Sequence, residues 1–189
     1  MGRLITCAAP FSLDDLAARI RKSSNFRFSW QFFQAEEIAL QSPADIRSAV
    51  DSIIVTPNLH RFLQETFQAT YDDVFKIEPL HEHCQVATAS GEFENTLASA
   101  GGDHLGAYSR KLRRANASEI QEIQDLFGCI GRYSTFELLP GKSSDCPTCR
   151  SYSNHLFTTW FYGVAWDWCL LASWPSRDLL WMGCLTDTD

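Results

Sequence analysis

Two short clusters in this sequence carry the side-chain types that bind metals or supply nucleophiles. Cys146-Pro147-Thr148-Cys149 places two thiols three positions apart on a turn, the spacing at which thiolates occupy one side of a zinc tetrahedron. Gly141 to Asp145 provides a loop-like approach to it. A structural zinc needs four ligands, and no second C-x-x-C exists to complete the set. The other cluster, His81-Glu82-His83-Cys84, lies more than sixty residues upstream. Together the two suggest a zinc-dependent hydrolase or deaminase-like enzyme using the Cys146/Cys149 pair with His81 or His83. Nucleoside deaminases carry H-x-E followed by P-C-x-x-C. Here Glu82 follows His81 directly, His83 stands where the glutamate belongs, and Asp145 rather than proline precedes Cys146. Zinc without a glutamate placed to shuttle protons does not complete that chemistry. The expectation is therefore no metal, no cofactor and no catalytic set, with a zinc enzyme as the alternative.

Other nucleophile and phosphate signatures are incomplete. There is no G-x-S-x-G elbow, and neither Cys84 nor Cys129 sits in a recognisable nucleophile setting. Gly101-Gly102-Asp103-His104-Leu105-Gly106 lacks the spacing and the following Lys-Ser/Thr of a phosphate cradle, so it reads as a flexible loop. Arg110, Lys111, Arg113 and Arg114 form a short basic run that reads as a solvated face.

The elements that must position these groups follow from periodicity and punctuation. Ser12 can cap a helix carrying Leu13, Leu16, Ala17 and Ile20, with Asp14 and Asp15 in its first turn. Ser42-Pro43 starts a second helix, on which Ile46, Ala49, Val50, Ile53 and Ile54 form one stripe. Thr56-Pro57 repeats the device ahead of Leu59, Phe62, Leu63, Phe67 and Tyr71, making a helical hairpin. Phe26, Phe28, Trp30 and Phe32 alternate with polar residues, so they share one face of a strand. Residues 78–108 read mostly as loop. A helix begins near Ser118, with Gln121 completing a capping box and Gly128 as its stop. Beyond Gly131, strands are expected at Arg132–Leu138, His155–Tyr162, Val164–Trp174 and Leu179–Leu185. The last two close a hairpin through Pro175-Ser176-Arg177-Asp178. Val164–Trp174 is apolar on both faces, as a central strand covered on both sides would be. The fold class is α+β: N-terminal helices packed on a C-terminal antiparallel β-sheet, with residues 1–189 as a single domain.

Composition narrows the function. The chain has 189 residues, 45% of them hydrophobic, with a formal charge of −7; a chain of that length buries roughly 70% of its unfolded surface and needs no staple. A net negative charge argues against nucleic-acid binding, which requires a cationic surface. Seven cysteines, an odd number, do not read as a secreted disulfide framework. The Leu156–Ala172 stretch is broken by Asp167 and is no membrane span. A reduced cytoplasm is the expected location. Gly2 and Cys7 match loose lipidation patterns, and lipidation is not expected on them.

The charge is unevenly placed. Residues 31–100 hold eleven acidic and three basic side chains, a net of −8, whereas residues 101–118 carry +3. Asp72, Asp73, Glu78, Glu82, Glu92 and Glu94 fall at a helix end and in the polar segment after it, where carboxylates are expected to be exposed. A small, acidic α+β chain with aromatic-rich strands and no catalytic set resembles, in general type, bacterial immunity proteins, the cytosolic antidotes to toxins delivered by competing cells. The resemblance implies a protein partner, a cognate toxin domain of basic, nuclease-like character, with no direct nucleic-acid or membrane contact. On that expectation Asp72, Asp73, Glu78 and Glu82 contact the toxin and Glu92 and Glu94 form the rim, occluding its active cleft through an acidic surface. A non-catalytic adaptor using its tryptophan-rich sheet is the third reading.

Overall fold

The computed structural model describes residues 2–23, 26–54, 85–89, 91–102, 115–139 and 166–187. In chain order these form β1 (Arg3–Cys7), α1 (Asp14–Ser23), β2 (Phe26–Glu36), α2 (Pro43–Ile54), β3 (Gln85–Thr88), α3 (Glu92–Gly101), α4 (Ala117–Gly128), β4 (Ser134–Leu139), β5 (Trp166–Trp174) and β6 (Leu179–Asp187). The strands make one six-stranded sheet in the order β1-β2-β6-β5-β4-β3, antiparallel at every pairing.

The helix starts are set by local hydrogen bonds. The Asp14 N–H donates to Ser12 Oγ at 3.1 Å, satisfying one of the orphan donors of α1. At α2 the Asp45 N–H donates to Ser42 Oγ at 3.2 Å, and the Ser42 N–H donates to Asp45 Oδ2 at 2.9 Å. α4 is closed by a full capping box, but at Asn116 and Glu119, two positions ahead of the expected Ser118 and Gln121. Both pairs satisfy the same spacing; Asn116 prevails because its side chain accepts from both the Ser118 and the Glu119 N–H.

Period two in the strands assigns each side chain to one of two cores. Phe28 and Phe32 of β2, Leu170, Ala172 and Trp174 of β5, and Leu179, Trp181 and Leu185 of β6 face α1, α3 and α4. Phe33, Ala35, Cys169, Leu171, Leu180, Met182 and Cys184 face the opposite way, onto Ile46, Ala49 and Val50 of α2. β5 from Cys169 to Trp174 and β6 from Leu179 to Leu185 are buried on both faces, as a continuous apolar run requires. On the three-helix side the core is aromatic. Phe127 stacks on Trp174 at 6.0 Å and meets Trp181 edge-on at 4.9 Å, while Phe93 meets both Phe127 and Trp181 edge-on. Trp174 Nε1 donates to the Phe127 carbonyl at 3.2 Å.

The α+β class expected from the sequence holds, with two corrections of detail. The sheet is not confined to the C-terminal half, because β1 and β2 come from the first 36 residues and β2 pairs directly with β6. The segment 78–108 is not mostly loop, since it contributes β3 and α3. Residues 93–100 of α3 are all buried although Glu94, Asn95, Thr96 and Ser99 among them are polar, so a composition that reads as loop is here packed as a helix. The expected helix after Thr56-Pro57 and the expected strand His155–Tyr162 lie outside the described residues.

Trp181 lies over Gly183, its neighbour on the same face of β6. A Cβ built on Gly183 would stand 2.1 Å from the Trp181 indole. Overpacking a closed core costs about 1–3 kcal/mol, so Gly183→Ala is expected to lower the urea midpoint by a corresponding amount. An unchanged midpoint would show that the indole has room to move aside.

Candidate functional site

The carboxylates at the start of α3 are held by three separate elements. Gly91, at φ 79°, turns the chain out of β3 and into α3 without a side-chain cap; a glycine takes that conformation at no steric cost. Glu92 and Glu94 then fall in the first helical turn, where negative charge is favoured by the helix dipole. Ala89, just before the turn, is tied to β4 by its N–H donating to the Thr135 carbonyl at 3.0 Å and by Thr135 Oγ1 donating to its carbonyl at 3.2 Å. Because Phe136 and Leu138 face α2, the alternation of the strand turns Thr135 and Glu137 to the α3 side.

The two α3 carboxylates have different roles. Glu92 is exposed. Glu94 is 8% exposed, and its Oε1 accepts a hydrogen bond from the Tyr133 hydroxyl at 2.9 Å. The expectation that Glu94 stands at an exposed rim is therefore corrected. It faces inward on a helix buried all round, and the Tyr133 hydroxyl satisfies it. Burial, followed by the charge and hydrogen bond of Glu94 and the charge of Asp125, drives the Tyr133 phenol far above its ordinary pKa. It stays a donor at every physiological pH.

Glu137 is half-buried beside this group. Burial first, and the charge of Glu92 second, raise its carboxyl above the ordinary glutamate value. Asp125, exposed on α4, accepts from Gln121 Nε2 at 2.9 Å. Ion pairs among the described residues include Arg3–Glu36, Arg19–Glu122 and Arg47–Asp51. Thus Glu94 and Asp125 bear on Tyr133, and Glu92 bears on Glu137; among the described residues none of these four carboxylates forms an ion pair with a lysine or arginine. Asp125 and Glu137 were not legible as part of this group from the sequence. Asp125 is one of three acids on α4, with Glu119 and Glu122, and Glu137 is a lone acid in an apolar strand, so neither is singled out by its local pattern.

Of the remaining expected partner contacts, Asp72, Asp73, Glu78 and Glu82 lie outside the described residues, as do His81, His83, Cys84, His104, the Arg110–Arg114 run, Cys146 and Cys149. Among the described residues no group of three or more His, Cys, Asp or Glu side chains could hold a metal ion, and no helix is long and apolar enough to cross a membrane. Cys129 is exposed at the end of α4, and Cys7 is half-buried, its thiol pushed up by burial.

An acid whose pKa is raised by folding opposes the folded state once it is ionised. The cost is absent below the ordinary glutamate range and grows as pH climbs through the raised value. Glu137→Gln removes it. The variant is expected to be more resistant to urea than the parent at pH 8, the two converging at about pH 4. A difference of the same size at both pH values would place the origin elsewhere than in the ionisation of Glu137.

The chain matches no protein-family model, no curated protein and no solved structure.

Proposed function

We propose that this protein is an immunity protein, an antidote that acts in the cytoplasm by binding a cognate toxin domain of basic, nuclease-like character and occluding its active cleft. The observation that carries this reading is that Glu92, Asp125 and Glu137, from α3, α4 and β4, form no ion pair with a lysine or arginine among the described residues. Charge left unneutralised costs the folded state self-repulsion. Its use is outward: a concentrated negative area raises the encounter rate of a cationic partner and rejects partners of like charge. A nuclease cleft is cationic because it must hold phosphates, so an anionic protein surface can compete for it.

In this reading the toxin is met by Glu92, with Asp125 and Glu137 beside it, and by Asp72, Asp73, Glu78 and Glu82 of the acidic segment that precedes β3. Glu94 contacts no partner. It fixes the first turn of α3 to Tyr133 and so holds the neighbouring Glu92 in place. The net charge of −8 over residues 31–100 supports placing the interface on this segment. No catalytic residue, metal or cofactor takes part in the proposed activity, and neither nucleic acid nor membrane is contacted directly.

The test uses a cognate toxin domain, to be sought in the reading frames neighbouring this chain's gene and prepared in a catalytically inactive form. Electrostatic steering accelerates association by factors of roughly 10 to 1,000. The double reversal Asp72→Lys, Asp73→Lys is therefore expected to slow association at least ~10-fold at low salt. The gap should close as salt screens the parent's advantage. Association at the parent's rate would remove these two residues from the interface.

A further inference from the structure

Cys169 and Cys184 are cross-strand partners on β5 and β6, the two innermost covered strands of the sheet. Both face α2, and both are buried, at 1% and 0% exposure. Their hydrogen-bonding class follows from the register. The Ala35 N–H donates to the Asp178 carbonyl at 2.7 Å, which makes that position a hydrogen-bonded one in the β2–β6 ladder. Alternation then makes Ser29 and Cys184 a hydrogen-bonded pair, because they lie an even number of steps further along the same register. In an antiparallel sheet a residue's N–H and C=O point to the same side. Those of Cys184 point to β2, so its pairing with Cys169 on β5 is of the non-hydrogen-bonded kind. In such pairs the Cα atoms approach to about 4.5 Å and the side chains stand closest, within the roughly 4.4–6.8 Å that a disulfide spans.

Both are thiols in this structure. We infer that Cys169 and Cys184 form a dithiol modification site, which a hydroperoxide converts into a single cross-strand disulfide beneath α2. One thiol attacks the peroxide oxygen and becomes a sulfenic acid, releasing one water for hydrogen peroxide. The second thiol then displaces the hydroxyl at that sulfur, releasing another water and forming the S–S bond. Two thiols lose two hydrogens, and one peroxide is reduced to two waters. Hydrogen peroxide suits the site because it is small. A bulky disulfide oxidant would first have to build a mixed disulfide inside a closed core. The exposed Cys129 has no cysteine partner among the described residues, and its oxidation product is accordingly not this one. The site lies on the opposite face of the sheet from Glu92 and Glu137, so it stands or falls independently of the proposed toxin binding.

The experiment treats the folded full chain with hydrogen peroxide, blocks remaining thiols with N-ethylmaleimide in denaturant, and digests with trypsin without reduction. Cleavage after Arg150 and Arg177 puts Cys169 alone in peptide 151–177 and Cys184 alone in peptide 178–189, so only a disulfide keeps the two together. The expected product is this linked pair, two hydrogens lighter than the sum of the reduced peptides and split by dithiothreitol. Cys169→Ala and Cys184→Ala should each abolish it. If both peptides carry N-ethylmaleimide after exposed thiols have been oxidised, or if either is linked instead to another cysteine, the inference is overturned. The principal readout is on the parent chain and does not depend on either variant folding.

Discussion

The placement of β6 between β2 and β5 is the constraint from which the other features of this structure follow. β6 is paired along its whole length on both sides and buried on both faces from Leu179 to Leu185. Its register decides which residue enters which core. A slip of one position would exchange Trp181 with Leu180 and drive the aromatic cluster into the α2 side. The turn at Pro175–Arg177 and Asp178 pins that register. Asp178 takes the left-handed conformation at φ 49°, Gln34 Nε2 donates to the carbonyls of Arg177 and Asp178 at 3.0 Å each, and Arg177 Nε donates to the Ile130 carbonyl at 2.6 Å. The hairpin is thus tied at one end both to β2 and to the C-terminus of α4.

From that register come the two chemical features of the molecule. On one face, Trp181 over Gly183 creates the aromatic surface against which Phe93 and Phe127 dock. With α3 and α4 docked there, Glu94 and Asp125 bear on Tyr133 and Glu92 bears on Glu137. On the other face, the same register sets Ser29, Cys184 and Cys169 in one row across three strands. The acidic group and the dithiol belong to opposite sides of one sheet, and each is determined by side-chain parity rather than by proximity in sequence.

Where the sequence was legible, a local signal and a tertiary requirement agreed. Ser12 and Ser42-Pro43 mark helix starts whose stripes are the buried ones, and the run Trp166–Trp174 followed by Pro175 is a hairpin strand by any local criterion. β1 was not foreseen: five residues at a sheet edge, with Ile5 38% exposed, alternate too briefly to signal a strand. α3 was missed for a different reason. It starts at a glycine rather than a capping side chain and is rich in small and polar residues, so no cap announces it. Glu94 looked like surface charge for the same reason, since a glutamate satisfied by a distant tyrosine has the same local sequence as a solvated one. The acidic bias of the middle of the chain was visible from composition. Its assembly with Asp125 and Glu137 required the sheet.

We propose that the carboxylate-rich side of the molecule holds a basic protein partner. Amide hydrogen exchange of this chain, alone and saturated with the inactive toxin domain, tests it most directly. The account predicts new protection concentrated at residues 72–94 and in β4, with exchange in α2 unchanged. Protection confined to α2 and the outer edge of β1, with none at residues 72–94, would contradict it.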